Sequence, residues 1–321
     1  MSHPTSTARR SRLLRIGAAC AVLLALAGYL IVQLTTGGPG APRCTVTGPG
    51  KDGGTYSMQP EQAVNAATIE AVGSSRRLPE RAITIALATA MQESGLRNIG
   101  YGDRDSLGLF QQRPSQGWGS ARQIRDPVYA AGKFYDHLLK VDGYAALPLT
   151  EAAQRVQRSG YPRAYAKHEP DAALVSSALT GRTAAAFTCT TASGGTRPGD
   201  PARVRAELVR EFGPGVLPGA QAAAAERAGG SGRATSRAGA DPVIAVPVGA
   251  TVARGGPERR GWELAHWAVA NASELRIAQV SYADRVWKAR ESGKGWHEAD
   301  GNAAGEKLRS PDAAVLIRTA Q

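Results

Sequence analysis

The chain has 321 residues, which leaves room for about two domains of ordinary size. Its 39 Lys and Arg residues against 27 Asp and Glu residues give a net charge of +12, which predicts attraction to polyanions: nucleic acid, anionic lipid head groups or the acidic polymers of a cell wall. One long apolar run without charges inside it excludes a transporter that works as a monomer.

The N-terminus is typical of a membrane-inserted segment. Arginines precede an uncharged run of 17 residues, Ile16 to Val32, which is near the lower length limit for a spanning helix. We therefore expect a cytoplasmic basic segment (1–15), a transmembrane anchor (16–34) and a single-pass protein of the cell membrane whose remainder lies outside. The alternative is a cleaved signal peptide, but its apolar region is usually shorter and no small-x-small cleavage site follows.

Both alternatives place the rest of the chain in an oxidising compartment, where Cys44 and Cys189 are the remaining cysteines. We predict a disulfide between them. It would close a loop of well over 100 residues, for which chain entropy gives a stabilisation on the order of 4–5 kcal/mol. Two unpaired thiols are the alternative.

The composition divides the remainder into four parts. Residues 35–55 are rich in Gly, Pro and Thr and are expected to form a tether. Residues 56–189 contain five helical patterns and predict a compact helical domain. Residues 190–241 are mostly Gly, Ala, Ser and Arg, which predicts a linker, and residues 242–321 alternate strand and helix patterns as in a small α/β accessory domain. The predicted fold class is mainly α.

One glutamate has an unusual position. The segment from Pro79 to Gly95 is apolar on all sides, which predicts a buried central helix, and Glu93 lies in its last turn. Apolar surroundings and the partial negative charge at a helix C-terminus both favour the protonated form of a carboxyl group, which suits a general acid. The alternative is a surface carboxylate that projects into water.

The segment that follows, DSLGLFQQRP, favours a carbohydrate cleft over a metal or phosphate site. Gly108 allows close backbone approach, Gln111 and Gln112 offer amide donors and acceptors, and Trp118 offers a ring face for a sugar. An ordinary surface loop beside a buried Trp is the alternative.

The order of these motifs, QES and then GLFQ, resembles the lysozyme-like superfamily, closest to its soluble lytic transglycosylase and goose-type lysozyme branch, over about residues 58–180. The resemblance implies that Glu93 is the catalytic acid/base, with Ser94 beside it as a substrate-binding residue. It also implies that Gly108, Leu109 and Gln111 line the glycan cleft.

A third motif of that branch, A-Y-N, is matched in part. Ala164 and Tyr165 fit, so Tyr165 is expected in the cleft, but Ala166 replaces the asparagine. A hydrolase with two carboxylates would need a second acid, for which Asp103 or Asp105 is the candidate. A lytic transglycosylase needs only one acid. We favour a transglycosylase mechanism over hydrolysis, because the sequence offers one well-placed glutamate and no clear second carboxylate.

The C-terminal part resembles a module of actinobacterial cell-wall proteins that is reminiscent of zinc D-Ala-D-Ala peptidases. Those modules usually end in a histidine-rich segment, which this chain lacks, and His266 and His297 have no ligand-like spacing. We therefore expect a degenerate accessory module, no metal and no cofactor.

These observations predict a membrane-anchored, extracytoplasmic enzyme that cleaves the glycan strands of peptidoglycan. The alternative is a non-catalytic cell-wall-binding or scaffold protein that retains a lysozyme-like cleft. The expected partners are peptidoglycan, the membrane through one N-terminal span, and cell-wall, secretion or conjugation machinery. Direct binding of nucleic acid is not expected, because the basic residues are scattered.

Overall fold

The computed structural model describes residues 16–17, 20, 22–28, 41–50, 52–191, 198–217, 243–249, 255–299 and 314–321. Residues 43–321 form one compact unit, and residues 1–42 form a separate one. The predicted cytoplasmic segment, 1–15, lies outside the described residues, as does most of the central part of the predicted linker.

The second unit alternates helices with short strands. Its helices are α1 (Pro60–Ser75), α2 (Glu80–Ser94), α3 (Ala121–Ile124), α4 (Pro127–Leu138), α5 (Leu149–Gln157), α6 (Glu169–Leu179), α7 (Pro201–Phe212), α8 (Gly256–Ala270) and α9 (Ala272–Leu275). Its strands are β1 (Cys44–Thr47), β2 (Thr55–Met58), β3 (Phe187–Cys189), β4 (Val243–Pro247), β5 (Ile277–Tyr282), β6 (Arg285–Lys288), β7 (His297–Glu298) and β8 (Ala314–Thr319).

The N-terminal unit corrects the membrane prediction. Within the predicted anchor, 16–34, the described residues are helical, yet none of the helices in the described part of the chain has the length and hydropathy that a bilayer span requires. The predicted transmembrane anchor and the single-pass membrane location are therefore wrong. The physical reason is length, because the described helical residues of this run lie between 16 and 28, whereas a spanning helix needs about 20 apolar residues.

A three-stranded antiparallel sheet joins the two ends of the helical part. Its strand order is β2-β1-β3, and Cys44 faces Cys189 directly across β1 and β3. These two residues form a disulfide across a sequence separation of 145, so the predicted disulfide is confirmed. Strand β1 lies inside the segment predicted to be a tether.

The predicted fold class is also corrected. It assigned strands to the C-terminal domain alone and a spanning helix to the N-terminus, whereas the structure has two antiparallel sheets and no such helix in its described part. The first sheet escaped prediction because its strands are only 3–4 residues long, too short for a recognisable alternation.

Helix α2 is the centre of the helical part. Its residues from Ala82 to Met91 are buried, and it packs against α1, α4, α5 and α6. The helix is apolar on all sides, so it lies inside the core with its neighbours around it. The last turn emerges from this core and carries Glu93.

Helix α8 connects the helical part to the second sheet. It packs against α1, α6 and β3 on one side, and against β5 and β8 on the other. The second sheet is antiparallel, in the order β4-β8-β5-β6-β7. Helix α7, in the segment predicted to be a linker, packs against α1 through buried residues that include Leu208.

Charged groups cross the contact between α8 and the helical part. The Glu80 carboxylate accepts a hydrogen bond from Arg259 of α8 and others from Arg182 of the helical part. Within α8, Arg260 pairs with Glu263 at 2.7 Å with both side chains buried. Burial, followed by the neighbouring Glu263, raises the pKa of Glu70 well above its usual value.

His266 of α8 is a core residue. It is fully buried, its Nδ1 lies 2.8 Å from the Ala178 carbonyl oxygen, and its ring is 5.4 Å from that of Trp262. Burial lowers the pKa of His266 to about 4, so the ring is neutral in the folded protein at neutral pH. His297 is half-buried, with Nδ1 3.3 Å from the Gly295 carbonyl oxygen.

Glu211 of α7 is a buried acid between three helices. Its Oε2 accepts a hydrogen bond of 2.7 Å from the Trp267 indole nitrogen, and its Oε1 accepts one of 3.1 Å from the Thr68 hydroxyl. Burial raises the pKa of Glu211 to about 7, against the lowering effect of both hydrogen bonds.

This acid predicts a pH-dependent stability difference. Because its pKa rises from 4.5 to about 7 on folding, Glu211 contributes stability that is complete below pH 4.5 and is lost as the pH rises through 7. Glutamine carries no charge, so Glu211→Gln should gain about 3 kcal/mol of unfolding free energy relative to wild type between pH 4.5 and about pH 8. Urea unfolding at both pH values measures this. A difference between the variants that stays constant with pH would contradict it, and exposed Glu258→Gln is the control.

Candidate functional site

Side chains of α1 hold the end of α2 in place. Helix α2 ends at Gly95, which has a left-handed backbone with φ of 62°. Gln62 Nε2 donates to the Gly95 carbonyl at 2.7 Å, and Asn65 Nδ2 donates to the Leu96 carbonyl at 2.8 Å. These contacts satisfy carbonyl groups that a helix end leaves without partners. The last turn, and with it Glu93, is therefore fixed.

Tyr165 is the hydrogen-bond partner of Glu93. Its hydroxyl donates to Glu93 Oε1 at 2.6 Å, and its side chain is fully buried. Burial, and next the adjacent Glu93, raise the pKa of the Tyr165 hydroxyl above its usual value of 10.0, so it remains a donor at any physiological pH. Glu93 is partly exposed, and its Oε2 makes no hydrogen bond within the described part of the chain.

A second contact places the segment that carries Tyr165 against α2. His168 Nε2 lies 3.2 Å from Gln92 Oε1, one residue before Glu93. The residues that follow Tyr165, Ala166–His168, form a single 3-10 turn. Ala166, which replaces the asparagine of the third motif, is exposed in this turn.

Ser94 connects α2 to the loop that follows. Its hydroxyl lies 2.7 Å from the Leu109 carbonyl oxygen and 3.1 Å from the Ala90 carbonyl oxygen. The Arg97 backbone N–H donates to the same hydroxyl at 3.2 Å. Ser94, expected to contact substrate, is therefore engaged in holding the GLFQ loop against the end of α2.

The GLFQ loop divides into buried and accessible positions. Gly108 has a φ of 75°, and a Cβ there would lie 2.7 Å from the Ile124 carbonyl oxygen, so this motif position requires glycine. Leu109 is fully buried. Gln112 is also buried, and its Nε2 donates to the Ala130 carbonyl at 3.0 Å. Gln111 is half-buried, so of the two amides it is the one with access to a ligand.

Trp118 is half-buried, and one face of its ring is covered. It stacks on His137 with ring centroids 4.1 Å apart, and its carbonyl accepts a hydrogen bond from the Tyr129 hydroxyl. Its predicted function as a sugar platform stays a prediction, for the remaining face only.

The two candidate second carboxylates differ in their surroundings. Asp105 accepts from Arg113 Nε at 2.7 Å and from the Ser115 backbone N–H at 2.8 Å. The Arg113 hydrogen bond, and then that of Ser115, hold the pKa of Asp105 well below its usual value. The Asp105 carboxylate is therefore ionised and occupied in holding Arg113 and Ser115. The Asp103 side chain is 95% exposed, with Arg104 at 4.0 Å as its ion-pair partner.

Two exposed aromatic residues on the segments that contact the Glu93 turn were missed by the sequence interpretation. Tyr101 lies on the loop after α2 and is 75% exposed, and Tyr161 lies four residues before Tyr165 and is 77% exposed. A signal was present, because Gly100 and Gly102 flank Tyr101, and Gly160 and Pro162 flank Tyr161. Turn residues on both sides of an aromatic side chain favour its exposure.

A metal centre is not formed within the described residues, where no group of three or more His, Cys, Asp and Glu side chains could hold an ion. The site is instead a carboxyl group with one buried donor, an accessible amide and exposed rings. That set can bind a glycan and transfer a proton to it.

Comparison with known proteins bears on the C-terminal part. A family model described as VldE, C-terminal domain, matches residues 198–306, which begin before α7 and end after β7. The match covers about a third of the chain and does not include Glu93 or Tyr165. No curated protein matches the chain.

Ser94→Ala tests the position of the GLFQ loop. The substitution removes the donor to the buried Leu109 carbonyl, so the free energy of unfolding should fall by about 1–2 kcal/mol. Chemical denaturation measures this. Ser75→Ala is the matched control, because the Ser75 hydroxyl donates to a carbonyl of its own helix, and we expect a smaller change there. Equal stabilities of Ser94→Ala and wild type would contradict the loop-anchoring function of Ser94.

Proposed function

We propose that this chain cleaves the glycan strands of peptidoglycan, with Glu93 as its single general acid/base. The observation that carries the proposal is the 2.6 Å hydrogen bond from the buried Tyr165 hydroxyl to Glu93 Oε1, at the end of a buried helix. It brings together the first and third motifs of the resemblance to lytic transglycosylases, which are 72 residues apart. The net charge of +12 also suits an acidic polymer.

The geometry assigns the two carboxyl oxygens different functions. Because Oε1 accepts from Tyr165, Oε2 is the oxygen that can carry the catalytic proton. In the first step Oε2 gives this proton to the glycosidic oxygen, and the C1–O bond of the muramoyl residue breaks. In the second step the carboxylate takes the proton of that residue's 6-hydroxyl, whose oxygen bonds to C1 and closes an anhydro ring. The Tyr165 donor on Oε1 holds the carboxyl group in one orientation through both steps.

The surroundings of the two aspartates support one acid rather than two. A retaining or inverting hydrolase needs a second carboxylate that is free to attack C1 or to activate a water. Both oxygens of Asp105 are engaged by Arg113 and Ser115, and Asp103 projects into solvent. The intramolecular 6-hydroxyl removes the need for such a group, so a lytic transglycosylase fits these residues better than a lysozyme.

The second candidate is a cell-wall-binding protein that does not cleave its ligand. Ala166 in place of the motif asparagine favours this alternative, because it removes an amide from the segment beside Glu93. Partnership with a cell-wall, secretion or conjugation machinery belongs equally to both candidates.

Glu93→Gln separates the two candidates. Glutamine keeps the oxygen that accepts from Tyr165 but has no proton of suitable acidity, so release of soluble fragments from purified peptidoglycan should fall at least 100-fold. Exposed Glu258→Gln, which removes the same charge from α8, should cleave like wild type. If wild type and Glu93→Gln both bind peptidoglycan and neither releases fragments, the enzyme proposal is contradicted and the binding protein stands.

Tyr165→Phe tests the buried donor. It removes a hydrogen bond to a group that becomes charged, which is worth about 1.5–3 kcal/mol, so the cleavage rate should fall about 10- to 100-fold. Tyr135→Phe is the matched control, because Tyr135 is another fully buried tyrosine, and its hydroxyl donates to the Ile69 carbonyl at 2.9 Å. Both variants should lose stability, but Tyr165→Phe alone should lose activity. Equal rates in the two variants would contradict the assigned function of Tyr165.

A further inference from the structure

Two exposed tyrosines lie on segments that contact the Glu93 turn. Among the described residues, Tyr101 and Tyr161 are the aromatic side chains that are mostly exposed, at 75% and 77%. Exposed apolar side chains are common when they are scattered over a surface. These two instead lie on the loop after α2 and on the segment before Tyr165, which are the two segments in contact with the Glu93 turn.

The backbone of each tyrosine is held while its ring is free. Gln111 Nε2 donates to the Tyr101 carbonyl at 3.4 Å and to the Gly108 carbonyl at 3.2 Å, which connects Tyr101 to the GLFQ loop. The Tyr161 carbonyl accepts from the Ala164 backbone at 3.0 Å, one turn before Tyr165. Neither hydroxyl has a hydrogen-bond partner in the described part of the chain. Because the backbone beside each ring is already held, binding has to fix only the two side-chain torsions of the tyrosine, so the loss of conformational entropy is small.

Positive charge accompanies Tyr161. The segment 158–168 contains Arg158, Arg163 and Lys167 and no acidic residue. All three are exposed, and none forms an ion pair with a described residue. A ligand that covers Tyr161 would therefore meet unpaired positive charge, which favours an anionic ligand.

We infer that Tyr101 and Tyr161 are sugar-binding platforms of the Glu93 site, and that the basic residues beside Tyr161 select a glycan that carries carboxylates over a neutral one. Tyrosine rings offer an apolar face to the C–H face of a sugar, so the ring and not the hydroxyl carries the contact. The inference rests on the proposed function for its ligand, and it adds the residues that position the glycan and determine its charge class.

The test measures binding in the Glu93→Gln background, so that bound glycan is not cut. The full chain is sedimented with purified peptidoglycan sacculi, and with chitin as a neutral glycan. Tyr101→Ala and Tyr161→Ala should each weaken binding to both polymers about 3- to 10-fold, whereas Tyr101→Phe and Tyr161→Phe should bind like the parent. Leu139→Ala, at a residue that is 51% exposed on the end of α4, is the control for loss of an exposed apolar side chain.

The charge component has its own variant. Arg163→Gln combined with Lys167→Gln should weaken binding to sacculi, more at low salt than at high salt, and should leave binding to chitin unchanged. Thermal unfolding of all variants should match the parent, because the substituted side chains are exposed. Equal losses on both polymers would contradict charge selection.

The outcomes distinguish this inference from the proposed function. If the Tyr→Ala variants bind both polymers as tightly as the parent, the assignment of Tyr101 and Tyr161 as sugar-binding platforms is contradicted, even if wild type cleaves peptidoglycan. If they lose binding while wild type releases no fragments, the platforms stand and the enzyme proposal falls.

Discussion

The hydrogen bond from Tyr165 to Glu93 is the contact on which the site depends. It joins the end of the central helix to a segment 72 residues later, and a buried phenol can reach that carboxyl only if the core around α2 is fully packed. Gln62 and Asn65 of α1 fix the same helix end from the other side. The position of the Glu93 carboxyl group thus depends on the packing of the helical core, which is the kind of support that the proposed proton transfer would require.

The C-terminal part completes that core rather than standing apart from it. Helix α8 packs on α1 and α6, with charged contacts between Glu80 and Arg259 and a neutral buried His266 at its centre. The disulfide from Cys44 to Cys189 joins the two ends of the helical part through β1 and β3, and β3 also packs against α8. The region similar to the VldE C-terminal domain therefore has a structural connection to the site, although it contributes no residue to it.

Much of α2 and its glutamate could be predicted from the sequence, because proline and glycine mark both helix ends and the apolar residues leave no polar face. The first sheet could not, because its strands have 3–4 residues and one of its two pairings, between β1 and β3, joins residues up to 145 positions apart. Nor could the functions of Ser94 and Gln112, since residue type does not reveal whether a polar side chain faces a ligand or a buried carbonyl. The anchor prediction was wrong because it rested on a run of 17 apolar residues, a length at which spanning helices and shorter apolar segments look alike.

The end groups of released glycan test the central claim most directly. Purified peptidoglycan is digested with the full chain and with Glu93→Gln, and the fragments are weighed by mass spectrometry. One general acid/base that serves both steps predicts muramoyl ends closed as anhydro rings, each lighter by one water than a reducing end, and their absence with Glu93→Gln. Fragments with ordinary reducing ends would contradict a single-carboxylate mechanism and return Asp103 to consideration as the second acid.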